Sequence, residues 1–453
     1  MPALFLPACS ACSESASPHD GVDASGVDSG ATGGSGGTGY GGMGGSGGTR
    51  DASVDLNPEG SPDTADAGPA PLWESMGEHE GLLFERVSNP EPIRVFHWVP
   101  CPGVSDCEMA EFLQPDFHGD TPNLQYLSMV HDNGTDVFAG IGFVLPKKPG
   151  VLTFTTADGW LVEGFKCTDS NGRSGATQPA VWGARYGFTG AVNADNGVFP
   201  GVLGTLGTTE RSFFTLNTMQ AFGPGAGNGT YPMGETRWVW NWAPKLALVS
   251  FSNVDASDPR MFAETSTEIL SLGRPSSAGS HFLFDELRDD NGGVSTRIMS
   301  SDGVQLPAPY LVPGPGEYYF VPRFADSHVG WLRATGMQDP ATFDHVEIWA
   351  TVYSPSPAEL SPYKVADVEN NKFVSPSAVG GFGHYARSAM TPGFELRSIS
   401  IWNLDTKVRV ERLTPDFAQI LKYLGVTRTH LWMTGTIPSS DRDGDYLFRF
   451  PLD

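Results

Sequence analysis

Basic residues are scarce in this chain, with 28 Lys and Arg against 52 Asp and Glu and a formal net charge of −24. They form no run or stripe. A nucleic-acid binder needs one to displace phosphate counterions, so polyanionic partners are excluded. No segment approaches the ~20 apolar residues of a membrane-spanning helix, which excludes a helical crossing of a bilayer. The ten histidines, among them His97, His131, His281, His345 and His384, show no His-Glu-x-x-His or paired-ligand spacing, so no zinc-hydrolase signature is present. Helical signal is equally thin. Thr414-Pro415 opens one candidate, with Phe417, Ile420, Leu421 and Leu424 on one face and Gly425 as its stop. Ser105 and Glu108 form a capping box ahead of Met109, Phe112 and Leu113 in the other. Two short helices do not build βαβ units, which excludes an α/β enzyme fold.

What the chain has in quantity is glycine, and much of it is concentrated near the start. Of the 56 glycines, 16 fall within residues 13–70, together with Ser, Thr, Asp and Pro and almost nothing apolar. Such a segment cannot bury enough surface to offset the entropy of ordering, so a flexible linker is expected. Its r.m.s. reach is ~5–6 Å times the square root of its length. Nine acidic residues against the single basic Arg50 keep it extended and solvated. Gly33-Gly34-Ser35-Gly36-Gly37, Gly44-Gly45-Ser46-Gly47-Gly48 and Gly37-Thr38-Gly39-Tyr40-Gly41-Gly42 satisfy hydrolase and dinucleotide patterns. None has the strand before and helix after that give those patterns their chemistry.

Ahead of the linker, Leu6 and Ala8 stand at −3 and −1 of Cys9, with Cys12 a second thiol behind Ser10-Ala11. This start resembles the end of a bacterial lipoprotein signal, departing from it at Pro7 and in lacking a positively charged beginning. An acylated cysteine followed by a long polar tether is the arrangement of surface lipoproteins. The resemblance covers about the first seventy residues. It implies an exported, envelope-located, membrane-anchored protein, acylated at Cys9 or Cys12 and held to the membrane only by lipid. The organisation expected is therefore a signal and lipobox remnant at 1–12, a disordered linker at 13–70 and one folded domain at 71–453.

Within 71–453, short alternating or β-branched runs appear at Ile93 to Val99, Val137 to Val144, Val151 to Thr156, Leu246 to Phe251, Glu317 to Val321, Val346 to Val352 and Arg397 to Trp402. Between runs lie Asp132-Asn133-Gly134, Asp158-Gly159, Asp195-Asn196-Gly197, Asp290-Asn291-Gly292, Asp302-Gly303 and Asp443-Gly444, which accept positive φ and suit tight hairpins. The pattern predicts an antiparallel all-β domain. At the end of the chain, Thr429-His430-Leu431-Trp432-Met433-Thr434 and Tyr446-Leu447-Phe448-Arg449-Phe450 flank a turn-rich segment. This resembles the closing blade of a β-propeller, whose chain end pairs back to seal the ring. At roughly 40–50 residues per blade, 71–453 supplies about seven to nine units, and seven blades are expected with eight next. No clean repeat, Trp-Asp dipeptide or Asp-box is present, and tandem β-sandwiches are the alternative.

Five cysteines leave three in the folded part if one of Cys9 and Cys12 is the anchor. Cys101 and Cys107 flank Pro102-Gly103 and suit a disulfide, with Cys167 an alternative partner for either. In Arg237-Trp238-Val239-Trp240-Asn241-Trp242, period two puts Trp238, Trp240 and Trp242 on one strand face. That row is either core or a platform for sugar rings, with Glu235 and Arg237 as polar contacts. Asp441, Asp443 and Asp445 alternate around Gly444, an oxygen-rich turn suited to Ca²⁺, although the twelfth loop position is Leu452 where an EF-hand needs Glu. Asp285, Glu286, Asp289 and Asp290 read as a solvated turn before an acid–base pair, and no catalytic residue is assigned. The expectation is a monomeric, non-catalytic binding module for carbohydrate or protein. A polysaccharide-active hydrolase or lyase on the same scaffold is the alternative, distinguished by whether titratable groups from several blades meet at one funnel.

Overall fold

The computed structural model describes residues 73–88, 93–112, 123–145, 148–169, 179–189, 198–217, 226–243, 247–264, 266, 269–272, 276–288, 294–300, 310–339, 342–368, 378–390, 396–413, 416–437 and 445–452. Among these the structure is all-β, apart from one 3₁₀ turn at Pro357–Glu359. The chain first lays down β1 (Trp73–His79), β2 (Leu82–Val87), β3 (Phe96–Pro100) and β4 (Glu108–Phe112). Seven sheets follow in chain order. The first is β5 (Asn123–Asp132), β6 (Val137–Leu145), β7 (Lys148–Thr156) and β8 (Leu161–Asp169); the second is β9 (Ala180–Trp182), β10 (Arg185–Thr189), β11 (Val198–Thr205) and β12 (Arg211–Asn217). The third is β13 (Ala226–Met233), β14 (Arg237–Ala243), β15 (Ala247–Ser252) and β16 (Arg260–Ala263). In the fourth, β17 (Ile269–Leu272) and β18 (Ser276–Ser277) both pair with β19 (His281–Arg288), which also pairs with β20 (Val294–Ser300). The fifth is β21 (Glu317–Ala325), β22 (His328–Asp339), β23 (Thr342–Val352) and β24 (Tyr363–Asp367); the sixth is β25 (Ala378–Gly381), β26 (His384–Met390), β27 (Leu396–Asn403) and β28 (Arg409–Leu413). The last is β29 (Gln419–Val426), β30 (His430–Thr436) and β31 (Asp445–Pro451), extended by β4 and then β3.

Each sheet is buried on both faces, because an apolar cluster fills every seam between neighbours. Phe154 and Phe165 of the first sheet meet Tyr186 and Phe188 of the second; Leu203 and Phe214 meet Trp238 and Trp240 of the third. Val239 packs with Phe282, Leu283 with Trp331, and Leu332 with Tyr385. Ile399 packs with Leu431, and Trp432 with Val130 and Ala139 of the first sheet, which closes the ring. The architecture is a β-propeller.

The seam between last and first sheets is bound by the earliest strands. β2 pairs antiparallel with β8 at the rim of the first sheet, while β4 pairs with β31 through Phe448↔Met109 and Arg449↔Glu108. The Arg449 guanidinium lies 3.9 Å above the Trp98 ring, and its Nε donates to Glu108 at 2.6 Å. The expected closing stretch is thus real, and its partner is the segment that precedes the first sheet. The Cys101–Cys107 disulfide closes the turn from β3 to β4. Cys167 is a separate thiol buried among Phe84, Phe165 and Tyr186, and burial pushes it up to about 12.

Both expected helices are strands. The Ser105/Glu108 capping box falls at the start of β4, where pairing to β3 and β31 supplies the backbone partners a helix would otherwise offer. Of the Phe417-to-Leu424 pattern, Phe417 lies in the turn before the inner strand β29, and Ile420, Leu421 and Leu424 fall on β29 itself. Its register shifts between Ile420 and Lys422 and again between Tyr423 and Gly425. Each bulge adds a residue to one strand, converting an alternating pattern into spacings of three and four. Gly425 is no helix stop: a Cβ there would lie 2.8 Å from the Val130 carbonyl of the neighbouring inner strand.

Candidate ligand-binding face

In an up-and-down sheet, the turn from first to second strand and the turn from third to fourth lie at the same end. The first, second, third, fifth and sixth sheets follow that path in full and the fourth and last follow it through their third strand, so one face of the ring collects both sets of turns. Residues Asp132 to Val137 and Arg428 to His430 belong to the first set. Thr156 to Leu161, Ser252 to Arg260, Val352 to Tyr363 and Asn403 to Arg409 belong to the second.

The second set carries exposed apolar side chains in four sheets: Trp160 at 38%, Val254 at 58%, Val352 at 59% and Val408 at 56% exposed. Turn geometry holds them outward. Gly159, at φ +82°, sits so close to β3 that a Cβ would lie 2.2 Å from the Phe96 carbonyl, and the Gly159 carbonyl accepts from the Val95 N–H. Trp160 follows at once, bridged to Arg94, whose guanidinium lies 6.0 Å from its ring. Val254 rides a turn in which Ser252 Oγ accepts from the Val254 N–H and Asp255 accepts from Ser257. Val408 rides one in which Asn403 Oδ1 accepts from the Thr406 N–H. Such turns fix their own backbone and leave the tip residue to solvent.

Nearer the axis, the first set of turns brings charged groups from several sheets together. Asp132, whose side chain has no exposed surface, accepts from the Arg428 N–H at 3.0 Å and Nε at 2.9 Å. Burial pushes the Asp132 carboxyl up, but the Arg428 and Gly134 donors outweigh it and the net shift is downward. Asp326, in the turn after β21, is shifted upward by burial and by the Asp132 charge, against the Phe382 N–H and His384. His384 Nδ1 lies 2.7 Å from the Phe382 carbonyl, and His328 Nε2 lies 3.1 Å from Asp405 of the next sheet. The Asp132–Arg428 and His328–Asp405 contacts join adjacent sheets at the ring's end. A cavity of about 80 Å³ lined by Met76, His79, Phe84 and Phe213 is far below the ~300 Å³ of a small-molecule site.

The residues singled out from sequence are not brought together. Trp238 and Trp240 are 0% and 1% exposed, stacked with centroids 6.0 Å apart inside the seam with the second sheet. At these two positions the aromatic row is core, because a propeller sheet has no solvent face. Trp242 lies on β14 opposite Ala247, and its side chain falls outside the description. Glu235 is exposed, whereas Arg237 is buried on the other strand face, holding Ser250 Oγ at 3.0 Å and Asp258 Oδ2 at 2.9 Å. It is a brace for the turn after β15 and offers a ligand nothing. Of the expected Ca²⁺ turn, Asp441 and Asp443 lie outside the described residues, and Asp445 is the first residue of β31. Cys9 and Cys12 also lie outside them. Asp285 and Glu286 are in β19 with Glu286 buried, a strand where a solvated turn was expected; Asp289 and Asp290 are not described. The face residues escaped sequence reasoning because single valines in turns carry no pattern; only alignment of the turns by the fold reveals them.

The class that the strand pairing defines is a β-propeller. No family model matches the chain, and no curated protein matches it. Among solved structures it is similar to the β-propeller domain of the Trilobed protease from Pyrococcus furiosus, at 9% identity and TM-score 0.42, over 80% of this chain and 97% of that one. It is also similar to the Myceliophteria thermophila Cps50 (Swd1) β-propeller domain, at 10% identity and TM-score 0.45, over 73% and 98%. An ancestral GH74 enzyme is similar at 11% identity and TM-score 0.44, over 82% and 54%. The fold assignment rests on the strand pairing itself.

Proposed function

We propose that this chain is a non-catalytic binding module that is exported, tethered at the cell envelope through Cys9 or Cys12 and the 13–70 linker, and engages a protein ligand. The observation that carries the binding reading is the set Trp160, Val254, Val352 and Val408, exposed on turns at one end of the ring. Branched aliphatic tips suit a protein surface better than a sugar, which stacks on aromatic faces. The indoles that suggested carbohydrate at 238 and 240 are core. The test is capture from intact cells with Trp160→Ala, Val254→Asp and Val408→Asp combined: loss of the captured protein at an unchanged melting temperature supports the reading, and equal capture by both forms refutes it. Anchoring has its own test. Cys9→Ser with Cys12→Ser should move the protein from the membrane to the soluble fraction, and soluble, unacylated wild type would contradict it.

The hydrolase reading has one observation in its favour, a pair of carboxyls shifted in opposite directions, Asp132 down and Asp326 up, at one end of the ring. Turnover of a polysaccharide panel that disappears in Asp326→Asn would establish it.

A further inference from the structure

On the fifth sheet, toward the end opposite the binding face, four strands bring a separate polar cluster to one surface. Arg333 of β22 stands across from Glu347 of β23, which stands across from Asp367 of β24, and His345 lies two residues before Glu347 on the same strand face. His345 Nε2 is 3.2 Å from Glu347 Oε1 and 3.1 Å from Asp367 Oδ1. The three ligand atoms all lie within 4.8 Å of one another. Two donors on a tetrahedral ion with bonds of ~2.0–2.1 Å are separated by about 3.3 Å, so both His–carboxylate edges are already near coordination length.

Two further features distinguish the cluster from loosely scattered surface charge. Glu347 has only 8% of its side chain exposed, and its Oε2 is held by Trp349 Nε1 and Arg333 Nη1, each at 2.7 Å. Arg333 is held in turn by Glu317. That leaves Oε1 turned toward His345, the outer-shell support that metal-binding carboxylates have. A cation also already sits between the carboxylates. Lys364 Nζ is 2.8 Å from Glu347 Oε1 and 2.6 Å from Asp367 Oδ1. Its side chain is 37% exposed, so the ammonium can swing away into water.

We propose that His345, Glu347 and Asp367 form a binding site for a divalent transition-metal ion, Zn²⁺ or a neighbour in its row, with Lys364 as the displaceable occupant of the cation seat. One imidazole and two carboxylates match such an ion, and hard Ca²⁺ or Mg²⁺ would want more oxygens than are offered. His345 and Asp367 are about half exposed, so water can complete the coordination.

The experiment is a Zn²⁺ titration by calorimetry at neutral pH on protein carrying no affinity tag. Wild type should bind one equivalent. His345→Ala should weaken binding at least tenfold, and Trp349→Phe, which removes the donor to Oε2, should weaken it about tenfold. Lys364→Met should tighten it, because the competing ammonium is gone. Zn²⁺ binding that survives His345→Ala unchanged, no binding in either wild type or Lys364→Met, or weaker binding in Lys364→Met would each overturn the assignment. Unchanged circular dichroism in each variant confirms that the fold is intact.

Discussion

At the residue scale, the distinction between a binding platform and a core is one of burial, and it yields a direct prediction for Trp240. Replacing it with Ala should cost about 3–5 kcal/mol in denaturant unfolding, since it removes a buried indole from a seam between two sheets. The same change at Trp160 should leave the denaturant midpoint nearly unmoved. Acid behaviour follows from Glu347. Burial alone would raise its carboxyl, but Lys364, Trp349, Arg333 and His345 outweigh that and depress it to about 2. A depressed folded value adds stability that is complete above the unfolded pKa near ~4.3. That stability is lost as pH falls toward about 2. Glu347→Gln should therefore flatten the stability–pH curve over that interval, and unfolding midpoints measured from pH 5 to 2 check it. The sequence displayed all these residues. What it withheld was their partners: Glu347 and Trp349 are two apart, but Arg333, Lys364 and Asp367 reach them only through strand register.

At the scale of elements, the runs picked out by alternation are strands, and Val137–Leu145, Glu317–Ala325 and Thr342–Val352 fall close to where the pattern put them. Two of the six Asp-Gly and Asn-Gly turns lie among the described residues and follow their dipeptides, with Gly134 at φ +90° and Gly159 at φ +82°; those at Asn196-Gly197, Asn291-Gly292, Asp302-Gly303 and Asp443-Gly444 lie outside them. β29 was not readable, because two bulges broke its period, and β4 was not, because its pairing with nearby β3 is completed by one with β31, more than 300 residues away in sequence. That pairing gives the second element-level prediction. A chain beginning at residue 113 lacks β1 to β4 and leaves β31 an uncovered edge, so it should unfold non-cooperatively or aggregate, as light scattering and a calorimetric scan would show. The Cys101–Cys107 loop is short, and Cys101→Ser with Cys107→Ser should lower stability by about 2 kcal/mol, measured by denaturant unfolding under non-reducing conditions.

At the scale of the whole molecule, the all-β class followed from strand runs and turn chemistry, while the propeller was suggested only by the resemblance of the paired runs at the chain end to a closing blade, with tandem β-sandwiches left open. The face proposed for binding did not. Trp160, Val254, Val352 and Val408 are spread across about 250 residues of sequence and become neighbours in kind only when the sheets are set in a ring with their turns at one end. The central claim is that this end binds a protein, and site-specific photo-crosslinking on intact producing cells tests it most directly. A benzophenone amino acid placed in turn at Val254, Val352 and Val408 should give the same discrete protein adduct from all three positions. The same probe at Met337, which is 38% exposed two residues before the end of β22 and so at the opposite end of the ring, should give none. Adducts from Met337 alone, or none from the three turn positions while the protein is displayed and folded, would contradict it.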